Sequence, residues 1–358
     1  MSPCLLVKLK PVSPWRIGED TGARDRVAHM YHSDSLYGAV CWAMDRLGIL
    51  PDWLAATTGV SAEAGALPAV RFSSCFPFSG DTLFVAPPRN LWPPAPSPRI
   101  HWKSVQFLPL PLVKSLVADP EARVRDDAGW YVDAASECLM PSPGGARVAG
   151  PFRTALRSSV AVDRLSGAAS DPRISACLEF SSGSGLWFLS VFRDSAARQQ
   201  WEPGVRSALK LLADSGLGGG RSRGWGRAQQ PEFQEGVFPD ALILPGGAAT
   251  PRDSEAGEES APVETVHWLL SLLSPADSDR IDWSRGAYAI VERFGRIESR
   301  LGRPDKKRPL RMVSEGSVLF AEGSPAGSAP DVAPEGYPHP VYRFGYALTI
   351  PIAWRSPA

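Results

Sequence analysis

Cysteine is scarce and scattered: Cys4, Cys41, Cys75, Cys138 and Cys177 are the only five in 358 residues, with no C-x-x-C among them. An odd, dispersed set argues against a disulfide framework and against a structural zinc site. Long apolar runs are missing as well. The best short stretch, Trp268 to Leu273, falls far below the roughly 18 residues of a membrane helix. Lys8 and Lys10 stand where a secretory segment would be apolar. These absences lead us to expect a soluble, reduced, cytoplasmic protein without a membrane partner. Net charge is missing too, with 38 basic residues against 38 acidic, so any polyanion site must be a local patch. Only seven of the basic residues are lysine, a bias that genomic base composition explains. No H-E-x-x-H occurs, and Asp34, Asp81 and Asp163 stand in separate segments, so we expect no metal and no cofactor.

Glycine (33) and proline (35) are abundant. Together they make about 19% of the chain against an average of roughly 12%, which implies long loops or insertions. The clearest are 87–98, 245–262 and 321–338. Between them strands and helices interleave without regular βα repeats, which favours α+β over a Rossmann or barrel fold. Leu5, Val7 and Leu9 alternate as a first strand. Leu36, Val40, Ala43 and Leu47 fall on one face of a helix that Ser33 or Asp34 can cap and Gly48 can end. Residues 70–86 read as two strands about a Gly80-Asp81 turn, and 185–193 as a strong strand. A helix is expected over 203–214, with Pro203 at its first position. A second is expected over Val266 to Leu273, then a strand from Gly286 to Phe294.

The most informative stretch is 216–227, G-L-G-G-G-R-S-R-G-W-G-R, half glycine with three arginines. Glycine lets another backbone come close, and successive free amides can surround an anion. Arginine suits phosphate, and Trp225 offers a face on which a base can stack. Over 203–231, five basic residues face the single Asp214. The Walker and G-x-G-x-x-G patterns are both absent. The helix precedes the loop, so the loop leaves the negative end of the dipole and only its arginines and amides could offset that. The plainer reading is a mobile glycine-rich turn, although three arginines in a bare turn would repel one another. Arg303, Lys306, Lys307, Arg308 and Arg311 form a second basic patch, read as a solvated loop or a contact. His339 and Arg343 read as structural. The twelve tryptophans should lie mostly in core or interface.

The combination of HSDSLYGAVCWAM, SSCFPFSGDTLFVAPP, VAVDRLSGAAS, SGLGGGRSRGWGR and HPVYRFGYALTIPI resembles the RAMP superfamily of CRISPR-associated proteins. It is most like the fourth Csm subunit, the guide-RNA 5′-handle-capping RAMP of type III-A effector complexes. These motifs span nearly the whole chain. The resemblance implies two ferredoxin-like (RRM-like) domains, 1–236 and 237–358. The first would carry a thumb insertion at about 141–173 and the glycine-rich loop, the second flexible loops at 245–262 and 321–338. It implies binding of the 5′ handle, with a large palm-domain subunit on one side and a backbone RAMP subunit on the other. It also implies a β-hairpin thumb near the guide–handle junction and its target RNA, where Arg157 and Arg164 would reach phosphates. The RNA-binding set is then Gly216, Gly218, Gly219, Gly220, Arg221, Ser222, Arg223, Gly224, Trp225, Gly226 and Arg227, with Arg157, Arg164, His32 and Ser33.

No catalytic residue is expected. Related RAMP endoribonucleases use a histidine in this region, so the alternative is metal-independent cleavage of repeat RNA by His29 or His32. The plainer reading of His32 is structural, at the helix start, bonding Ser33 or the loop.

Overall fold

The computed structural model describes residues 2–18, 23–58, 67–93, 100–118, 129–142, 145–242, 264–298 and 305–354. In the first half, β1 (Ser2–Leu9) leads to α1 (Ser33–Arg46) and α2 (Leu50–Thr57), then to β2 (Val70–Phe72), β3 (Phe76–Ser79) and β4 (Thr82–Val85). β5 (Leu108–Pro109), α3 (Leu110–Ala118), β6 (Trp130–Asp133) and β7 (Cys138–Pro141) follow. A long hairpin, β8 (Phe152–Val162) and β9 (Ala169–Phe180), precedes β10 (Ser184–Phe192), α4 (Ser195–Ser215) and β11 (Glu232–Phe238).

The main sheet runs β11-β1-β10-β3-β4-β5, with β2 also on β10, and all its pairings are antiparallel. β1 is central, and Cys4, Leu5 and Val7 are wholly buried, so its alternation hides two covered faces. α1 and α4 pack on each other, and α4 lies against β1 and β10.

The second half holds β12 (Thr265–Leu269), β13 (Ile281–Ala287), β14 (Ile290–Arg293), β15 (Leu310–Val313), β16 (Val318–Ala321), β17 (Gly327–Ser328), β18 (Gly345–Tyr346) and β19 (Thr349–Ala353). Four of these form the sheet β13-β16-β12-β19. No α-helix occurs among its described residues, so the two helices of a ferredoxin-like unit are not found among them.

Several expectations need correction. The helix over Val266 to Leu273 is strand β12 and its continuation. Every residue from Val266 to Leu273 is buried, so no face is left polar and no period distinguishes helix from strand. The helix placed at 203–214 begins at Ser195, where the Asp194 carboxylate accepts from Ala197 N at 2.7 Å. Pro203 sits inside it rather than at its start. The residue before α1 is His32, and neither Ser33 nor Asp34 caps the helix. The 321–338 stretch is held rather than loose: β17 pairs with β18, and Asp331 Oδ1 accepts from Ala333 N and Val341 N, both at 2.8 Å. The 245–262 connector, residues 94–98 and Arg303 lie outside the described residues. The hairpin inside the expected thumb region is present, shifted to 152–180.

Candidate nucleic-acid interface

α4 stops at Gly216, whose φ is +94°. The glycine-rich loop then folds back on itself and is pinned to the segment after β1. Leu217 N donates to Gly226 O at 3.0 Å, Gly219 N to Arg16 O at 2.8 Å, and Gly226 N to Pro14 O at 2.9 Å. Arg227 N donates to Ser13 Oγ at 2.9 Å, and Arg227 O accepts from Val12 N at 3.0 Å and from Trp15 Nε1 at 3.1 Å.

The glycines serve this closure. A Cβ at Gly216, Gly218 or Gly226 would strike the carbonyl oxygen of Trp225, Arg16 or Leu217. The space expected for an RNA backbone is, at those three positions, filled by the chain itself. Gly224 differs: its φ is +78° and nothing lies within 4 Å of a Cβ there.

Trp225 is only half-exposed, and its ring would meet a Cβ on Gly220 at 3.1 Å, so it packs inside the loop. The aromatic residue facing the loop from outside is Trp42 on α1. The Arg221 guanidinium carbon lies 4.9 Å from its ring centroid and that of Arg46 5.3 Å. Trp42, Ser215 and the run 218–222 line an open cavity of about 420 Å³. Arg221 Nη2 is 2.6 Å from both carboxylate oxygens of Glu298. Arg223 and Arg227 are exposed and form no ion pair among the described residues. Within that set, the amides of Gly220, Arg221 and Ser222 likewise meet no acceptor.

Sequence reasoning had singled out neither Trp42 nor Glu298. Trp42 occupies a polar-face position of an amphipathic helix, a signal that could have been read; Glu298 is distant in sequence and gave none. The loop also spells G-x-S-x-G at 220–224, but it follows a helix rather than opening one, unlike a nucleophile elbow.

The other expected site residues fall elsewhere. Arg157 and Arg153 share Glu179 at the foot of the β8–β9 hairpin, and Glu179 is held below its ordinary pKa chiefly by Arg153, then by Arg157. Arg164 stands in the exposed tip turn, which Asp163 closes by accepting from Leu165 N at 2.9 Å and Ser166 Oγ at 2.8 Å.

Ser33 is 1% exposed: its amide donates to Ser74 Oγ at 2.8 Å and its Oγ accepts from Leu272 N at 3.1 Å. It is withdrawn as an RNA contact because it is sealed between the two halves. His32 Nδ1 lies 2.9 Å from Glu315 Oε1, which Ser74 also bonds. That partner is neither Ser33 nor the local loop. Beside it Asp34, wholly buried, binds Arg293 Nη2 at 3.0 Å and Arg343 Nη1 at 2.5 Å. Burial alone would raise the Asp34 pKa, but the two guanidiniums override it and hold the carboxyl ionised. His29 is tied at both nitrogens, Nδ1 to Glu137 Oε2 at 3.0 Å and Nε2 to Thr154 Oγ1 at 3.2 Å. No group of three or more metal-ligating side chains occurs among the described residues. Nor does any helix among them have the length and apolarity to cross a membrane.

Residues 264–352 match the family model described as the CRISPR Csm4 C-terminal domain. Solved structures match the fold end to end. A chain of the Csm3-Csm4 subcomplex of the type III-A CRISPR-Cas interference complex has TM-score 0.60, 16% identity, and coverage of 98% of this chain and 99% of that one. A chain of the Csm1-Csm4 cassette in complex with cA4 has TM-score 0.54 and 16% identity, with 99% of each chain covered. The same cassette with AMPPNP gives TM-score 0.51 at 16% identity, again covering 99% of each. No curated protein sequence matches. At such identities the structural likeness is one of fold, and it agrees with the family model over residues 264–352, the last quarter of the chain. Residues 264–352 thus match a Csm4 C-terminal domain, and the chain as a whole shares the fold of chains in those Csm complexes.

Proposed function

We propose that this chain is a non-catalytic RNA-binding subunit of a type III, Csm-type CRISPR effector complex in antiviral defence. Its glycine-rich loop and Trp42 hold the repeat-derived 5′ handle of the guide RNA. The observation that carries this reading is a loop locked by its own backbone that leaves the Arg223 and Arg227 guanidiniums without a counter-ion among the described residues. In the same loop Arg221 lines a cavity floored by glycine backbone and walled by the Trp42 ring. Locked cations and a ring face are what single-stranded RNA needs, because backbone charge and base stacking share its affinity. The strand order β11-β1-β10-β3, with α1 and α4, supports a ferredoxin-like first domain ending near Phe238. The β8–β9 hairpin acts as the thumb at the guide–handle junction, with Arg157 and Arg164 toward guide or target RNA. The large palm-domain subunit and a backbone RAMP subunit flank the chain, as Csm1 and Csm3 accompany Csm4 in the solved complexes named above. The complex works in the cytoplasm.

The test is fluorescence anisotropy with labelled handle RNA over a salt series. Replacing Arg221, Arg223 and Arg227 by Ala should weaken binding and flatten the salt slope by about two, since each single-strand phosphate contact contributes roughly 0.7. Unchanged affinity and slope would overturn the reading.

The endoribonuclease alternative narrows to one histidine. A general base needs a nitrogen free to reach the 2′-OH: both His29 nitrogens are engaged, while His32 is held by buried Glu315 through Nδ1 and could act only through Nε2. Repeat RNA incubated with the protein in EDTA should stay intact. A specific cut lost in His29→Ala or His32→Ala would restore that alternative.

A further inference from the structure

The three loop arginines are not equivalent. Arg223 and Arg227 stand free of carboxylates among the described residues, whereas Arg221 is neutralised. Its partner comes from far away in sequence, on the segment after β14. Glu298 places both carboxylate oxygens 2.6 Å from one guanidinium nitrogen, and its side chain is 69% exposed. The neutralised arginine is also the one that lies over Trp42 and lines the cavity. The carboxylate thus occupies an Nη2 position that a phosphate oxygen could take, without the two-nitrogen fork of a bidentate pair.

We propose that Glu298 is a phosphate surrogate: it holds Arg221 over Trp42 in the RNA-free chain, and a phosphate of the bound single-stranded RNA displaces it. This rests on the RNA-binding reading of the loop and adds to it an exchange. RNA must compete with an internal carboxylate for Arg221. Glu298 thereby weakens binding of RNA that does not fill the cavity well enough to eject it. An exposed pair of this kind is easily broken, so the exchange is cheap.

The experiment is a double-mutant cycle on the full chain, read by anisotropy with labelled handle RNA. Glu298→Gln should tighten binding about two- to five-fold, the range set by an exposed ion pair. In an Arg221→Ala background the same substitution should change nothing, because the arginine for which the carboxylate competes is gone. Equal tightening in both backgrounds would show a general charge effect and overturn the exchange. So would unchanged or weaker binding by Glu298→Gln. If the triple arginine variant loses affinity while Glu298→Gln has no effect, only the exchange fails. If the triple variant binds as before, the RNA reading fails and the exchange with it. Glu298 and Arg221 both lie at the surface, and thermal melts within experimental error of the parent should accompany each variant.

Discussion

At Gly226 the backbone turns through φ +82°, and a Cβ there would land on the Leu217 carbonyl. Gly224 has a similar φ of +78° with open space beside it. The pair separates conformational strain from collision. Gly224→Ala should cost about 1 kcal/mol, the ordinary penalty for a left-handed non-glycine residue. Gly226→Ala should cost about 3 kcal/mol or more, because the Leu217–Gly226 closure must open as well. Chemical denaturation of the two variants checks this, and equal costs would mean that the loop is not locked as described. Two tryptophans make a second contrast. Trp42→Ala should weaken RNA binding by about 1–3 kcal/mol, as loss of a stacking face does, with the fold intact. Trp225→Ala should act first on loop stability, since its ring packs against Gly220. Anisotropy and thermal melts on both variants distinguish the roles.

Among the described residues the β8–β9 hairpin is tethered only at its foot. Trp15 and Leu178 exchange backbone hydrogen bonds of 3.0 and 2.7 Å, and His29 reaches Thr154. Beyond Arg157 the strands have solvent on both sides, and Leu165 at the tip is 99% exposed. An isolated two-stranded ribbon is marginal in water. Hydrogen exchange should therefore be fast over 158–173 and slow over 176–180, and uniform protection would contradict this. At this scale much was legible in the sequence. The alternation of β1, the stripe of α1 and the Gly80-Asp81 turn are local signals, and β10 stands out as a dense aromatic-aliphatic run. The misreadings share a cause, which is tertiary context. β12 is covered on both faces and has no period to read. Pro203 resembles a start signal, yet Asp194 supplies the real cap eight residues before the position expected for it. The glycine loop was found as a cluster, but its internal closure depends on the 12–16 segment, far away in the chain.

At the scale of the molecule, the two halves are joined by buried polar bonds. Asp34 binds Arg293 and Arg343, His32 binds Glu315, Arg71 Nη1 donates to Ala347 O at 3.0 Å, and Trp268 Nε1 donates to Ala86 O at 3.2 Å. His32 and Asp34 therefore serve as the clasp that sets α1, and with it Trp42, against the second half. Burial would raise the Glu315 pKa, but His32 and Ser74 bring it below its ordinary value, and Asp34 is lowered by its arginines. Carboxyls with depressed native pKa values bind fewer protons in the folded state. Their contribution is complete above the unfolded carboxylate pKa and fades as pH falls through the native values. Urea-unfolding stability should thus decline below about pH 4. Asp34→Asn should cost about 3–5 kcal/mol at neutral pH, by leaving two guanidiniums buried without their anion, and should flatten that acid decline. A variant as stable as the parent would mean that the clasp is not what joins the halves.

The central claim is about where the RNA lies, and photocrosslinking with 4-thiouridine handle RNA followed by peptide mapping tests it most directly. Crosslinks should fall on the peptide containing 216–227 and on the α1 peptide containing Trp42. Crosslinks confined to other surfaces, with both peptides unmodified, would contradict the account.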